Sequence, residues 1–194
     1  IEEIANFLQM DTCEVRDVMT SVLKLYRNYI KFPANDGEFH VYSSDSSNMD
    51  GYGFSCAIAD EVHSYKDNSL ISVLRSSMGA RKQPLLIQIT TAGFLLDGYP
   101  CFETYKVAIE VLSGVKEDPT FFPFLYVMDP EDDWEDESNW IKCNPAIDIV
   151  VSRQYLREQQ VLAKNDATQI VGVKTKNFNL WCSAASVRKI SPPV

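Results

Sequence analysis

The stretch FSCAIADEVHSY (Phe54–Tyr65) decides the fold of this sequence. It opens with small and apolar residues, which predict a short buried strand, and then places two carboxylates side by side, Asp60 and Glu61. Successive side chains that leave a strand point in different directions, so the two acids can serve different partners. Acids that merely cap the turn after a strand are the common alternative for such a pair.

Similar apolar runs follow this one and alternate with helical patterns. PLLIQITT (84–91) predicts a second buried strand, and FFPFLYVM (121–128) predicts a third. Helices are expected over 68–79, 101–114, 137–143 and 152–164. Such alternation predicts an α/β fold with a mainly parallel sheet and flanking helices. Ligands of these sheets bind at the carboxyl ends of the strands, where Asp60–Glu61 and Thr90–Thr91 should lie together.

The two ends of the chain carry weaker patterns. Apolar residues at helical spacing over 1–31 predict two helices, or one helix interrupted near Met10, with a start at DTCE (Asp11–Glu14). A strand is expected at 39–45, and NFNLWCS (177–183) has the composition of a strand.

Composition excludes several functional classes. The net charge of −9 argues against a generally basic nucleic-acid binder. The five cysteines form no CxxC pair, and the two histidines are not at ligand spacing with them, so a zinc site is not expected and a reducing compartment is. No apolar run reaches the length of a membrane span.

An apolar strand that ends in Asp-Glu matches the second phosphate-site motif, or Walker B motif, of P-loop ATPases. There the Asp helps to hold Mg²⁺ and the Glu orients the water that attacks the γ-phosphate of ATP. The only G-x-x-x-x-G in the sequence, GFLLDG (93–98), is followed by Tyr99 and Pro100 instead of Lys and Ser/Thr, so it is not a P-loop. A P-loop is therefore expected upstream of Ile1 in a longer protein, and these residues alone should be inactive.

Four ordered motifs together resemble the large terminase subunit of tailed bacteriophages. They are SSDSSNMDGYGFSCAIADEVHSYKDNSL (43–70), GARKQPLLIQITTAGFLLDG (79–98), DDWEDESNWIKCNPAI (132–147) and NFNLWCSA (177–184). The resemblance implies a P-loop NTPase-like motor that uses ATP and Mg²⁺ to pump viral DNA into a preformed capsid. It also implies an ATPase domain followed by a nuclease domain.

The resemblance also implies roles for single residues. Asp60 is then the Mg²⁺-associated acid and Glu61 the catalytic carboxylate. Thr90, Thr91 and Gly93 belong to the motif ITTAG, which couples hydrolysis to movement, and Gly93 is expected to let the backbone turn. The positive charges Arg75 and Arg81, with Lys82 beside them, are candidates for stabilising phosphate charge or contacting DNA, although exposed surface charge is the simpler interpretation.

Three segments follow from this interpretation. Residues 1–42 are a helical segment with a first strand, 43–150 the C-terminal half of an ATPase domain, and 151–194 a helical linker toward a nuclease domain. The implied partners are double-stranded viral DNA, a portal protein, a small terminase subunit and further copies of the chain, in the cytoplasm of a bacterial host and without a membrane.

Two other interpretations stay open at this point. DEVH (60–63) also resembles the Asp-Glu-x-His box of helicase-like motors, and a fragment without a P-loop could be a non-catalytic assembly domain. The acidic run DPEDDWEDE (129–137) is interpreted as a solvated connection and not as a metal site. Trp140, Asn144 and Pro145 are interpreted as packing and turn residues.

Overall fold

The computed structural model describes residues 11–43 and 51–183. The chain divides into two compact units, residues 1–45 and residues 46–194. Among the described residues no helix is both long and apolar enough to cross a membrane.

The described part of the first unit, residues 11–43, contains one helix and a small antiparallel sheet. Helix α1 (Thr12–Val22) begins as predicted, with the Asp11 carboxylate accepting a hydrogen bond from the backbone of Cys13 at 2.7 Å. Three strands follow: β1 (Lys24–Leu25), β2 (Tyr29–Phe32) and β3 (Gly37–His40), in the order β1-β2-β3.

The prediction of a helix is therefore wrong for residues 24–31, and the part of it before residue 11 lies outside the described residues. Tyr29 lies opposite His40 in the sheet, and the two rings stack with centroids 4.9 Å apart. Aromatic pairs across strands stabilise a sheet, and this interaction between distant residues outweighs the local helical spacing.

The second unit is built on two parallel strands. Strand β4 (Cys56–Ala59) pairs in parallel with β5 (Leu85–Gln88), so that Ile58 lies opposite Ile87. A 3₁₀ turn (Val62–Ser64) and helix α2 (Ser69–Ser77) connect them. The predicted α/β arrangement with a parallel sheet and helices is confirmed.

One face of this sheet is exposed. Its apolar side chains Ile58, Leu85, Ile87 and Ile89 are 54, 53, 36 and 50 % exposed. We call these four residues the open sheet face. The prediction that both strands are buried is therefore wrong for one face, because the described residues cover only the other.

Helix α3 (Pro100–Leu112) begins with a proline in its first turn and is followed by Gly114 at φ 74°, as the sequence indicated. The predicted third strand, residues 121–128, does not form in the described part of the chain. This segment alternates between partly buried and exposed residues, with Phe122 82 % and Phe124 69 % exposed, but it pairs with no described strand.

Three further helices complete the unit: α4 (Trp140–Cys143), α5 (Arg153–Asn165) and α6 (Ile170–Phe178). Their core is centred on Trp140, Leu156 and Phe178, which are all fully buried. The prediction of a strand at 177–183 is wrong for Asn177 and Phe178, since α6 continues through them. The helix ends at Phe178 with Asn179 as its C-cap, and among the described residues 179–183 only Cys182 forms a bridge, with Phe94.

Candidate functional site

The two acids lie in a tight turn at the carboxyl end of β4. One oxygen of Asp60 accepts a hydrogen bond from the backbone N–H of Glu61 at 2.8 Å. Glu61 has a left-handed backbone (φ 53°, ψ 43°), which is uncommon for a residue other than glycine. Its carbonyl accepts bonds from the N–H and the hydroxyl of Ser64, both at 2.8 Å. These bonds hold the strained turn, from which the Glu61 side chain extends with 61 % of its surface exposed.

His63 lies between this acid and the end of the neighbouring strand. Its Nδ1 atom is 3.1 Å from Oε2 of Glu61 and 3.2 Å from the hydroxyl of Thr90. The same Nδ1 is 3.4 Å from the hydroxyl of Thr91. The backbone N–H of His63 also donates to the Thr90 hydroxyl at 2.9 Å. The structure therefore brings Glu61, Thr90 and Thr91 together around one imidazole.

The backbone continues this connection beyond the last paired residues of the sheet. Ile89 donates to the carbonyl of Ala59 at 2.9 Å, and Val62 donates to the carbonyl of Ile89 at 3.3 Å. The turn that carries Glu61 is thus bonded directly to the end of β5.

Both threonine hydroxyls are already engaged. The Thr90 hydroxyl donates to the carbonyl of Thr91 at 2.8 Å, and the Thr91 hydroxyl donates to that of Ala92 at 3.3 Å. In the structure both face His63.

Gly93 lies close to His63. Its φ is outside the left-handed region, and its role in letting the backbone turn stays a prediction. A Cβ atom at this position would lie 3.3 Å from the Cβ of His63 and 3.8 Å from the ring of Trp181. A larger residue would therefore press on the Cβ of His63.

A small apolar cavity adjoins His63. Tyr99, Cys101, Phe102 and Trp181 line it, and the buried indole N–H of Trp181 has no hydrogen-bond partner among the described residues. Burial raises the pKa of the Cys101 thiol, which donates to the Thr90 hydroxyl at 3.6 Å. Cys101 is thus a neutral neighbour of the site and not a nucleophile.

The two candidate arginines are not part of this cluster. The Arg81 guanidinium donates to the carbonyl of Gly53, which precedes β4, so Arg81 lies at the amino ends of the strands. Four-residue strands separate the two ends by roughly 13 Å. Arg75 lies exposed in the last turn of α2. The structure therefore does not place Arg81 beside Glu61 of the same chain.

The described residues contain no group of three side chains that could hold a metal ion by themselves. Asp60 can supply one carboxylate oxygen, because it is exposed and its other oxygen bonds to the backbone. Mg²⁺ prefers one or two carboxylates together with water and phosphate oxygens, and this donor set fits that preference.

Burial, with a contribution from the Asp60 charge, raises the pKa of Tyr65.

Asn179 was not found by sequence reasoning. Its side-chain oxygen accepts from the backbone N–H of Ala92 at 3.2 Å, and its amide nitrogen donates to the carbonyl of Tyr126 at 3.0 Å. It therefore joins the segment after Thr91 to the extended segment 121–128. His63 could have been found from the sequence, because it stands two residues after Glu61. That position was used only to support the helicase-like alternative.

Two family matches cover most of the chain. Residues 2–108 match the family described as terminase large subunit, ATPase domain, and residues 115–190 match terminase large subunit, endonuclease domain. Both matches favour the terminase interpretation over a helicase-like motor. The second includes residues that sequence reasoning assigned to the ATPase half and the linker, so the boundary at residue 150 stays a prediction.

Similar proteins come from bacteria and phages. Protein YmfN of Escherichia coli K12 is 40 % identical over 137 residues, which are 71 % of this chain and 30 % of YmfN. The terminase large subunit of Lactococcus phage p2 is 25 % identical over 147 residues, or 75 % of this chain and 26 % of that protein.

The crystal structure of the HK97 bacteriophage large terminase has a TM-score of 0.72 at 19 % identity, and the match covers 85 % of this chain and 34 % of that one. At this identity the likeness shows the fold. This chain spans about a third or less of the length of all three proteins.

Proposed function

Because the chain belongs to the terminase large subunit family, we propose that it is part of an ATP-driven motor that translocates viral DNA into a procapsid. The observation that carries the proposal is the position of Glu61. Its exposed carboxylate stands at the carboxyl edge of a parallel sheet, and one imidazole connects it to Thr90 and Thr91.

We assign to this edge the Walker B half of a P-loop NTPase-like site. Asp60 would contribute a ligand to Mg²⁺, which neutralises phosphate charge when bound together with ATP. Glu61 would accept the proton of the attacking water, since its carboxylate is open to solvent. The P-loop would come from another part of the full-length protein, and the 194 residues alone would not hydrolyse ATP.

Thr90 and Thr91 would couple hydrolysis to movement through His63. A shift of the end of β5 on loss of phosphate would change the hydrogen bonds between Thr90 and His63, and Nδ1 of His63 lies 3.1 Å from Glu61. Gly93 gives this imidazole its space.

The proposed partners are double-stranded DNA, a portal protein, a small terminase subunit and other copies of the chain, in the cytoplasm of a bacterial host during phage or prophage growth. Arg75 and Arg81 are proposed to contact DNA phosphates or the nucleotide of a neighbouring subunit. Arg81 lies at the far edge of the sheet from Glu61, which favours contacts outside its own site.

The test is the substitution Glu61→Gln in the full-length protein. It keeps the size of the side chain and removes the base, so ATP hydrolysis should fall about a hundredfold or more while a fluorescent ATP analogue still binds. Glu110→Gln, an exposed glutamate on α3, is the matched control and should hydrolyse ATP at the wild-type rate. Unchanged turnover of Glu61→Gln would overturn the proposal, and loss of nucleotide binding would make Glu61 a structural residue.

A further inference from the structure

The neighbours of His63 decide which of its two ring nitrogens carries the hydrogen. The Thr90 hydroxyl gives its proton to the carbonyl of Thr91, and the Thr91 hydroxyl gives its proton to the carbonyl of Ala92. Neither hydroxyl then has a proton left for the imidazole. The Glu61 carboxylate likewise offers only acceptor oxygens, so Nδ1 of His63 carries the hydrogen, and this atom lies 3.1 Å from Oε2 of Glu61 and 3.2 Å from the Thr90 hydroxyl.

The Glu61 carboxylate depends on this contact. In the part of the chain that the structure describes, His63 is the one side chain shown in polar contact with it. The Glu61 side chain is 61 % exposed and belongs to a left-handed residue, so without His63 it would sample many rotamers.

The position of His63 depends in turn on the end of β5. Its backbone N–H donates to the Thr90 hydroxyl at 2.9 Å, and the preceding residue, Val62, donates to Ile89. On its other side the Cβ of His63 lies against Gly93, where even one added carbon would come within 3.3 Å. The backbone and the Cβ of His63 are thus held between the strand end and the glycine.

We propose that His63 is a positioning residue that sets the orientation of the Glu61 carboxylate according to the position of the Thr90–Thr91 segment. This proposal rests on the proposed function of the site, in which Glu61 activates water. It gives the coupling a physical route of two contacts: the hydrogen bond that the backbone N–H of His63 donates to the Thr90 hydroxyl, and the 3.1 Å approach of the imidazole Nδ1 to Oε2 of Glu61.

The experiment compares two substitutions in the full-length protein. His63→Leu keeps the bulk of the side chain and removes the donor, whereas His63→Asn places an amide N–H close to the position of Nδ1. For the loss of a close polar contact to a charged group we expect kcat for ATP hydrolysis to fall about ten- to a hundredfold in His63→Leu. The KM for ATP should change little, and His63→Asn should recover most of the lost rate.

A purely structural role would give a different result. His63→Leu would then lower the thermal unfolding midpoint, and His63→Asn, which fills less of the cavity, would be no better. The control is His40→Leu, because this histidine lies in the other unit, where it stacks on Tyr29 and pairs with Glu38. Its kcat should equal the wild-type value. A wild-type kcat in His63→Leu, or a rate in His63→Asn no higher than in His63→Leu, would overturn the proposal.

The variant Glu61→Gln separates this inference from the function on which it rests. If Glu61→Gln stops hydrolysis and His63→Leu does not slow it, the positioning role fails and the proposed function stands. If the wild-type protein does not hydrolyse ATP, or Glu61→Gln hydrolyses it normally, both fail. If both hold, the double variant should be no slower than Glu61→Gln alone, because the two residues act in one pathway.

Discussion

Thr90 and Thr91 are adjacent and chemically identical, but their hydroxyls do different work. The Thr90 hydroxyl accepts from the backbone of His63 at 2.9 Å and donates to a carbonyl at 2.8 Å. The Thr91 hydroxyl makes longer contacts, at 3.4 Å to the imidazole and 3.3 Å to the carbonyl of Ala92. A hydroxyl that makes two short hydrogen bonds holds its neighbours more firmly than one that makes two long ones.

We therefore expect Thr90→Val to impair coupling more than Thr91→Val. Valine keeps the shape and the strand propensity, and it removes a bond of about 1 kcal/mol. DNA packaging by the full-length protein should drop more than ATP binding does, and more ATP should be consumed per base pair moved. Packaging and ATP consumption measured in the same reaction check this. Equal, normal packaging by both variants would mean that ITTAG is only a strand end.

Sequence reasoning at the residue scale placed Asp60–Glu61 and Thr90–Thr91 at one edge, because the end of an apolar run is a local signal. It did not assign His63 to that site, since the link to Thr90 joins residues 27 positions apart. Asn179 is 87 positions from Ala92, and no pattern in the chain indicates that bond.

Among the elements, the acidic segment 129–137 shows how local charge is balanced. Lys142 contacts Asp129 at 2.7 Å and Asp132 at 2.8 Å, Arg157 contacts Glu137 at 2.5 Å, and Lys164 contacts Glu135 at 2.7 Å. These pairs join the segment to α4 and α5. The segment is exposed in places, but it is attached at several points, and Trp134 within it packs on Phe178.

These ion pairs predict that acid destabilises this unit. The Lys142 ammonium lowers the pKa of Asp132, and the Arg157 guanidinium lowers that of Glu137. Both carboxylates thus bind protons less readily when folded than when unfolded. Their stabilising contribution is present above the ordinary pKa of about 4 and is lost as the pH falls through the lowered values.

Thermal unfolding measured between pH 7 and pH 2 checks this. The midpoint should fall with the pH below about 4. Lys142→Met should show a shallower fall, since Asp132 has then lost its partner in the folded state. An identical acid dependence in the two proteins would contradict the prediction.

Helices with strong end signals were predicted well, and strands that need distant partners were not. Ser152 caps α5 by accepting from Tyr155 at 3.1 Å, and Pro100 opens α3, so both helices could be located from local sequence. Residues 121–128 have the composition of a strand but do not pair with any described strand. Helix α6 was missed because Asn177 and Phe178 resemble strand residues, whereas the burial of Phe178 against Trp140 favours the helix.

On the scale of the whole molecule, the 194 residues contain the acid pair but no phosphate-binding loop. In GFLLDG, the backbone N–H of Gly98 already donates to the Glu103 carboxylate at 2.8 Å. A carboxylate at this position repels phosphate instead of binding it.

We expect the purified 194-residue chain to show no appreciable ATP hydrolysis. A phosphate-release assay with the full-length protein as the positive control measures this directly. Robust turnover by the short chain that Glu61→Gln abolishes would show that a complete site forms without a P-loop.

The amide of Asn179 has a consequence for the evolution of the family. Both of its partners are main-chain groups. The side-chain oxygen accepts from the N–H of Ala92, and the side-chain nitrogen donates to the carbonyl of Tyr126, so the residue must both accept and donate. Aspartate lacks the donor, and glycine would keep the left-handed backbone (φ 45°) but lose both bonds. Because main-chain groups persist whatever side chains are present, a mutation at 92 or 126 cannot compensate for a change at 179. An alignment of relatives should therefore show position 179 as invariant without covariation with either contact.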